Sequence, residues 1–247
     1  MTLPDGFRAC GDHFAIDLPG ARAVFTTRRG GHSAGPYDSL NLGVLTDDAP
    51  ASVARNRATL QEQIGDAELR FVHQVHGTEV RRILDAAPPP EAGELPRADG
   101  QATTVPGVAP AALVADCLPV AVAGGGAVAM LHAGWRGLAG GVIATGVRAL
   151  RELGAGGELT AAIGPGAGPC CYEVGDEVHE AFAGLPAAHH ARRLDLKAIA
   201  RARLQEAGVG EVQDLGLCTI CADPGLLFSH RRDRGVTGRQ AGVAWLI

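Results

Sequence analysis

The sequence predicts an α+β fold in which strands and helices are layered without a regular order, and two observations lead to that prediction. Short apolar runs bounded by glycine or proline, typical of buried strands, are mixed with longer segments typical of helices. Their order lacks the regular strand–helix–strand alternation of a doubly wound sheet. No internal repeat and no change of composition divides the 247 residues. We therefore expect a single domain over residues 1–247.

The predicted strands are short apolar runs that end at glycine, proline or polar residues. They cover residues 21–27, 69–76, 79–84, 99–104, 112–115, 127–131, 159–163, 212–219 and 242–247. The strands at residues 69–76 and 79–84 are close enough in sequence to pair across Gly77 and Thr78. The proline-rich residues 86–97 are expected to form a surface loop rather than a linker between domains.

The predicted helices begin near capping residues and end at glycines. They cover residues 50–64, 138–153, 176–182 and 195–207. Asp47 and Asp48 are able to cap the first helix, and Pro50 suits its first turn. The polar face of that helix, which includes Arg57, is expected to face solvent. Gly208 ends the last helix.

Composition and charge argue against several classes of partner. The formal net charge is −5 and aromatic residues make up 4% of the chain, so neither a basic surface nor a stacking platform for nucleic acid is indicated. The first ten residues lack the basic and apolar segments of a signal peptide, and no apolar run approaches the roughly 20 residues of a membrane span. We expect a cytoplasmic protein whose six cysteines are reduced.

A histidine or a cysteine stands at the end of each of three predicted strands. Cys117 follows the apolar run 112–115, and His132 and His76 stand at the ends of two other strands. If these strand ends meet, they form a Cys-His-His set, which leaves a tetrahedral zinc ion one open position for water or phosphate. Spacing alone leaves open the alternative of ordinary core and polar residues. His73 is not counted, because residues three apart on a strand point to opposite faces.

The same residues are compatible with a cysteine hydrolase that needs no metal. Cys117 would then be the nucleophile and His132 the base, and Asp99 or Asp116 would orient the base. Asp116 is the weaker candidate, because adjacent side chains on an extended strand point in opposite directions.

The other cysteines give weaker indications. Cys218 and Cys221 have the spacing of a zinc knuckle or a redox motif, but no second pair with that spacing exists. Two ordinary thiols in a loop are therefore the favoured interpretation. Cys170 and Cys171 are adjacent, so we expect them to pack near the turn at residues 164–166 rather than to bind one ion together.

Two arginines beside glycine-rich turns, Arg28 and Arg136, are candidates for binding a phosphate or a carboxylate through their planar guanidinium groups. A surface ion pair is an equally good interpretation of each. The glycine-rich residues 123–127 form a turn between strands and lack the lysine of a phosphate-binding loop, which excludes a nucleotide triphosphatase.

Six segments together carry a resemblance to a known family. They are FTTRRGGHSAGPYDSLNLG (25–43), QVHG (74–77), ADCLPV (115–120), HAGWRG (132–137), IGPGAGPCCYEVG (163–175) and FSHRRDRGVTGRQA (228–241). The combination of HAGWRG, ADCLPV and QVHG in one chain is highly specific. On these motifs the sequence resembles the YfiH family, also called the multicopper polyphenol oxidase or laccase-domain family.

This resemblance implies that His76, Cys117 and His132 bind zinc. It also implies that Arg28 and Asn41 lie near the substrate pocket. The implied fold is an α+β sandwich of mixed β-sheets flanked by helices, which is also likened to cysteine hydrolases. Members of the family are described as purine nucleoside phosphorylases and as peptidoglycan editing factors.

The leading hypothesis is a zinc-dependent purine nucleoside phosphorylase that acts on adenosine, inosine, guanosine and methylthioadenosine and also deaminates adenosine. One alternative is a hydrolase that removes a wrongly attached amino acid from a UDP-muramyl precursor of peptidoglycan. A copper-dependent polyphenol oxidase is a weaker alternative, because multicopper sites use many histidines in His-x-His pairs and the nine histidines of this chain form none. A zinc-stabilised binding module without catalytic activity is the fourth hypothesis.

Overall fold

Two six-stranded mixed sheets lie at the centre of the structure, a computed structural model that describes residues 2–88 and 95–247. The first sheet contains, in spatial order, β1 (Phe7–Cys10), β2 (His13–Leu18), β3 (Ala21–Phe25), β14 (Gln240–Leu246), β7 (Val108–Val114) and β4 (Glu68–Arg70). Neighbouring strands in this sheet are antiparallel except for β7 and β4, which are parallel.

The second sheet contains, in spatial order, β13 (Glu211–Asp214), β10 (Thr160–Ile163), β8 (Leu118–Gly124), β9 (Ala127–Ala133), β6 (Gly100–Thr103) and β5 (Val80–Ile83). Its inner pairs are antiparallel, and the outermost pair at each edge is parallel. A separate two-stranded hairpin is formed by β11 (His189–His190) and β12 (Arg193–Leu194).

Helices cover the outer face of each sheet. They are α1 (Pro50–Ile64), α2 (Trp135–Gly140), α3 (Val142–Glu152), α4 (Asp176–Ala181) and α5 (Leu196–Glu206). α1 packs on the first sheet through Leu60 and Ile64, whereas α3 and α5 pack on the second sheet. None of the helices in the described residues combines the length and the apolar character that a membrane span requires.

Strand β9 contributes side chains to two layers of the core. Val128 and Met130 belong to the cluster between the sheets, together with Phe25 of β3. Ala129 and Leu131 belong to the cluster that includes α3 and α5. Because successive residues of a strand face opposite sides, β9 is buried on both faces. The resulting order of layers, helix, sheet, sheet, helix, confirms the predicted α+β sandwich flanked by helices.

The expected pairing of residues 69–76 with residues 79–84 is wrong. β4 ends at Arg70 and belongs to the first sheet, whereas β5 belongs to the second. The connection between them passes through His76, whose backbone φ of 58° lies in the left-handed region. A residue in that conformation cannot continue a strand.

The sequence does not predict β1, β2 or β8. β8 is a central strand that contains Pro119, and proline argues against a central strand because it cannot donate to the ladder. The strand expected at residues 212–219 ends at Asp214, because the chain turns at Gly216, whose φ is 75°. Within the loop expected at residues 86–97, residues 89–94 lie outside the described part of the chain.

The first predicted helix is confirmed as α1, but its capping is not the expected one. Ala49 is the N-cap residue, and no side chain caps the helix. Asp48 instead accepts hydrogen bonds from the side chains of Ser33 and Asn41. The helix expected at residues 138–153 is divided into α2 and α3 at Gly141, whose φ of 96° interrupts the helical backbone.

Candidate active site

Three potential metal ligands from different parts of the chain meet beside the second sheet. His132 lies near the end of β9, Cys117 directly precedes β8, and His76 lies in the loop between β4 and β5. β8 and β9 are antiparallel neighbours with Leu118 opposite Ala133, so strand pairing brings Cys117 close to His132. One ligand atom of each residue lies within 4.8 Å of those of the other two.

Gly134 leaves the space that these three side chains occupy. A Cβ atom at this position would lie 2.8 Å from the Sγ atom of Cys117 and 3.3 Å from the Cδ2 atom of His76. The rings of His76 and His132 meet edge to face, with their centroids 4.9 Å apart. The close approach of the side chains therefore explains the first glycine of the HAGWRG segment.

Asp99 holds two of the three residues in position. This fully buried carboxylate contacts the Nδ1 atom of His132 at 2.8 Å. It also accepts hydrogen bonds from the backbone N–H groups of Val75, His76 and Gly77, at 3.2, 2.9 and 2.7 Å. With Nδ1 donating to Asp99, the Nε2 atom of His132 is left as the ligand atom.

Opposite charges stabilise one another within this group. Burial raises the pKa of the Cys117 thiol, but the charge of His132 and hydrogen bonds from His132 and His76 lower it to about 6. Burial also lowers the pKa of His132, but the Cys117 thiolate and the Asp99 carboxylate raise it to about 9. Hydrogen bonds from His132 and Gly77 likewise outweigh burial and lower the pKa of Asp99. The group therefore favours a thiolate at Cys117.

The side chains of His76, Cys117 and His132 fit the coordination of a single zinc ion. A thiolate and two imidazoles are ligands that zinc prefers, and His132 has the carboxylate partner that commonly orients a metal-binding histidine. All three residues line a cavity of about 450 Å³, so a fourth ligand can come from solvent or from a bound molecule. That volume is in the range of small-molecule sites, about 300–1,000 Å³.

The cavity wall combines aromatic and basic side chains. Its aromatic residues are Trp135 and Tyr172, and its arginines are Arg57, Arg136, Arg231 and Arg239. Arg136 is stacked on the Trp135 ring at 4.3 Å, and Arg231 on the Tyr172 ring at 4.9 Å. The wall is therefore suited to a ligand with a planar apolar part and a negative charge.

The expectation that Arg57 faces solvent is wrong. Its guanidinium lies 3.9 Å from the centre of the Phe71 ring, and its Nε atom donates to the Leu42 carbonyl. Its Nη2 atom is buried and has no hydrogen-bond partner within residues 2–88 and 95–247. Burial lowers the pKa of this group to about 10. A buried donor without a partner on the wall of a cavity is a candidate anion-binding group.

The three predicted substrate-binding residues have different places in the structure. Arg136 is exposed and lines the cavity. Arg28 is not part of its lining: its guanidinium donates to the backbone carbonyls of Asp38, Pro36 and Pro224 and lies 4.4 Å from the centre of the Phe228 ring. These contacts give Arg28 the role of connecting two loops.

Asn41 is also absent from the cavity lining, but it supports residues that line it. Its side-chain NH₂ donates to Thr46 and Asp48, and its oxygen accepts from the backbone N–H groups of Gly43 and Arg239. Gly43, Thr46 and Arg239 all contribute to the wall of the cavity. Asn41 is therefore placed to position the wall rather than to contact a ligand.

Asp116 does not contact His132. Its φ is 96°, and its carboxylate accepts hydrogen bonds from Thr219, Ser229 and the backbone N–H of Arg231. Asp99 is therefore the carboxylate that would complete a Cys-His-Asp arrangement, and Asp116 connects the Cys117 turn to the C-terminal part of the chain.

Two features near this site are not indicated by local patterns in the sequence. Tyr172 lies in one of the resembling segments, but no local pattern indicates that it lines a cavity. The sequence contains no second Cys-x-x-Cys pair, but the structure brings the adjacent Cys170 and Cys171 next to Cys218 and Cys221, which their spacing in the sequence does not indicate.

Comparisons with known proteins agree over almost the whole chain. The family model described as "Multi-copper polyphenol oxidoreductase laccase" matches residues 22–247. A purine nucleoside phosphorylase of Xylella fastidiosa is 43% identical, with 92% of this chain and 93% of that protein aligned. A purine nucleoside phosphorylase of Pseudomonas aeruginosa is 40% identical, with 91% of this chain and 93% of that protein aligned. The crystal structure of the hypothetical protein YfiH of Bacillus licheniformis has a TM-score of 0.90 and 32% identity, covering 99% of this chain and 100% of that one.

Proposed function

This chain belongs to the YfiH family, which the multi-copper polyphenol oxidoreductase laccase model describes, and we propose that it is a zinc-dependent purine nucleoside phosphorylase. The observation that carries the proposal is the Cys-His-His group in the wall of a cavity that also contains arginines. The relatives named as purine nucleoside phosphorylases support the substrate class. The proposed substrates are adenosine, inosine, guanosine and methylthioadenosine.

His76, Cys117 and His132 would hold the zinc ion. When bound there, zinc acts as a Lewis acid that polarises an oxygen atom of its ligand. It also lowers the pKa of a bound water molecule toward neutrality. Asp99 would keep the His132 ring oriented and the Nδ1 proton in place through the 2.8 Å contact. Gly134 would allow the three ligands to approach one another.

The arginines of the cavity wall would bind phosphate, the second substrate. Arg57 offers a buried Nη2 donor, and Arg136 offers an exposed guanidinium. Planar guanidinium groups recognise phosphate oxygens through paired hydrogen bonds. The faces of Trp135 and Tyr172 would accept the purine ring by stacking.

In phosphorolysis these groups would position the two substrates, and no covalent intermediate with the protein is needed. A phosphate oxygen forms a bond to C1′ of the ribose while the bond from C1′ to N9 of the purine breaks. The electron pair of that bond goes to the purine, which takes up a proton. Holding the phosphate against C1′ in the cavity would account for a large share of the acceleration.

We also propose that the same site deaminates adenosine. In that reaction a water oxygen adds to C6 of the purine and ammonia leaves. The reaction needs no phosphate, so phosphate-binding arginines would affect phosphorolysis more than deamination. This difference makes the two activities separable by substitution.

Zinc is the proposed metal rather than copper. The candidate group contains one cysteine and two histidines with ligand atoms close enough for one ion. Within the described residues, neither group of potential metal ligands has the several histidines that a multicopper centre requires. Metal analysis of active protein tests this assignment directly, and copper in place of zinc would contradict it.

The proposed function is tested by incubating the purified, zinc-loaded protein with inosine and phosphate. We expect hypoxanthine and ribose 1-phosphate to appear, and a chelator to abolish their formation. His132→Ala should be inactive, whereas Cys10→Ser, which changes an exposed cysteine at the end of β1, should retain activity. Product formation no greater than that of His132→Ala would overturn the proposal.

A second candidate function is supported by the contact between His132 and Asp99. With Cys117 as nucleophile, these residues would form a hydrolase that removes an amino acid from a UDP-muramyl precursor. Chelation and alkylation separate the two functions. The hydrolase would keep its activity without metal and lose it to iodoacetamide, whereas the phosphorylase would be inactivated by the chelator.

The proposal includes a cytoplasmic location and one domain that spans residues 1–247. Intracellular nucleosides and phosphate are the substrates that such an enzyme would use. Fractionation of cells expressing the protein at its native level tests the location, and limited proteolysis tests the domain organisation by the size of the protected fragment.

A further inference from the structure

Four cysteines from two distant segments form a second cluster of potential metal ligands. Cys170 and Cys171 lie between β10 and α4, and Cys218 and Cys221 follow β13. Their four sulfur atoms lie within 4.8 Å of one another. We propose that this cluster binds one structural zinc ion through four thiolates.

The sheet explains why these segments meet. β10 and β13 are parallel neighbours, with Ile163 opposite Asp214. The chain therefore leaves both strands at the same end of the sheet. Beyond that end the segments stay joined, because the Gly166 N–H donates to the Leu217 carbonyl and the Thr219 N–H donates to the Gly166 carbonyl.

The spacing of the sulfur atoms fits one ion. Zinc–sulfur bonds are about 2.3 Å long, so neighbouring sulfurs of a tetrahedral site are about 3.8 Å apart. The sulfurs of Cys170 and Cys221 are 3.5 Å apart, close to that value and far from the roughly 2.05 Å of a disulfide. All four cysteines have free thiols in this structure.

Backbone N–H groups are arranged around Cys218 as they would be around a thiolate. The Gly168 N–H donates to its sulfur at 3.2 Å. The backbone N–H groups of Ile220 and Cys221 also point to this sulfur. The Ala222 N–H donates to the Cys218 carbonyl at 3.0 Å and closes the turn. This turn with converging N–H groups is a preformed cradle for a charged sulfur.

The other thiols need a cation before they can all ionise. Four thiolates within this distance would repel one another unless a positive ion lay between them. Gly168 lets the backbone pass close to these thiols, because a Cβ atom there would lie 3.1 Å from the Cβ atom of Cys218.

A zinc ion in this cluster would have a structural role. Four protein ligands complete a tetrahedral site and leave no position for a substrate. None of the four cysteines lines the cavity, but the adjacent Tyr172 does. Thr219, next to Cys218, donates to Asp116, which precedes Cys117. The ion would therefore fasten the loops that carry one wall of the cavity.

The proposal is tested by metal analysis of full-length protein purified under reducing conditions without an affinity tag that binds metal. We expect about two zinc ions per chain in the wild-type protein. Cys117→Ala should retain about one, held by the cluster, and a Cys117→Ala, Cys221→Ser protein should retain almost none. Cys10→Ser should retain about two. Zinc bound by the cluster is counted in Cys117→Ala, in which the Cys-His-His group is disrupted. The outcome therefore does not depend on the proposed function.

Cobalt substitution provides a second measurement, on a protein that retains all four cysteines of the cluster. Cys117→Ala loaded with cobalt should show the strong sulfur-to-metal charge-transfer bands of a tetrathiolate site. The proposal is overturned if Cys117→Ala binds no zinc, or if its zinc is unaffected by Cys221→Ser. Iron with sulfide in the cluster, or a disulfide between Cys170 and Cys221 in the reduced preparation, would also overturn it.

Discussion

The Cys-His-His group and the four-cysteine cluster use similar ligands in different surroundings. The first has three donors, lies in the wall of a cavity, and includes the buried His132. The second has four donors, of which Cys170 and Cys221 are exposed, and none of them lines the cavity. The number of donors and access to a cavity, rather than the presence of cysteine, distinguish a reactive centre from a structural one.

The largest expected effect comes from Cys117→Ala. Substituting residues that only orient a ligand lowers metal affinity or activity about 10- to 100-fold, so the loss of a ligand should lower kcat/KM for inosine phosphorolysis more than about 100-fold. Steady-state kinetics measure this loss, and circular dichroism verifies the fold. A loss of less than about tenfold would show that the two centres do not differ as proposed.

A smaller loss is expected for Asp99→Asn. The amide has nearly the same shape but lacks the charge that holds the Nδ1 proton of His132. We expect zinc affinity at the Cys-His-His group to fall about 10- to 100-fold, with zinc retained by the cluster. Competition with a chromophoric chelator measures both affinities. Asp47→Asn, at an exposed position, is the control, and equal zinc affinity in the two variants would contradict the role of Asp99.

Arg57→Gln is expected to affect phosphate more than the nucleoside. Loss of a charge-assisted hydrogen bond worth about 1.5–3 kcal/mol should raise KM for phosphate about tenfold or more. Deamination of adenosine should change little, because it uses no phosphate. Arg55→Gln removes an exposed arginine from the same helix and is the matched control. An unchanged KM for phosphate in Arg57→Gln would contradict the proposed anion site.

The smallest effect on activity is expected for Cys221→Ser. Loss of an ion that fastens two loops should lower Tm, and about 2 kcal/mol corresponds to about 4–8 °C in a chain of this size. Activity at 25 °C should fall less than in Asp99→Asn, because the Cys-His-His ligands are unchanged. Differential scanning calorimetry and kinetics on one preparation test both expectations. A greater loss of activity than in Asp99→Asn would make the cluster part of the catalytic site.

The sequence predicts which residues form the Cys-His-His group better than it predicts their backbone conformation. His76, Cys117 and His132 stand at the ends of predicted strands, and the structure brings them together. His76, however, lies in a loop with a φ of 58°, held by Asp99. The resembling motifs identified the residues, whereas a hydrogen bond between positions 76 and 99 is a tertiary contact that hydrophobic periodicity does not contain.

The four-cysteine cluster could not be predicted from local spacing. Cys171 and Cys218 are separated by α4, the β11–β12 hairpin, α5 and β13, and they meet only because β10 and β13 are parallel neighbours. The burial of Arg57 is not predicted from the sequence for a related reason. An arginine on a helix is usually solvated, and only the packing of α1 against the loops at Leu42 and Phe71 buries it.

The hydrogen bonds of Asp99 have a further consequence for how the proposed metal would be acquired. One carboxylate orders the His132 ring and three successive amides of the loop that carries His76, using only protein atoms. Two of the three candidate ligands, His76 and His132, are thus held in place by the protein alone, and binding of an ion would require little reorganisation of the chain. The thiols of the cluster lack such a shared anchor and repel one another when ionised. Uptake of metal should therefore be faster at the Cys-His-His group than at the cluster, where several neighbouring thiols must lose their protons as the ion binds.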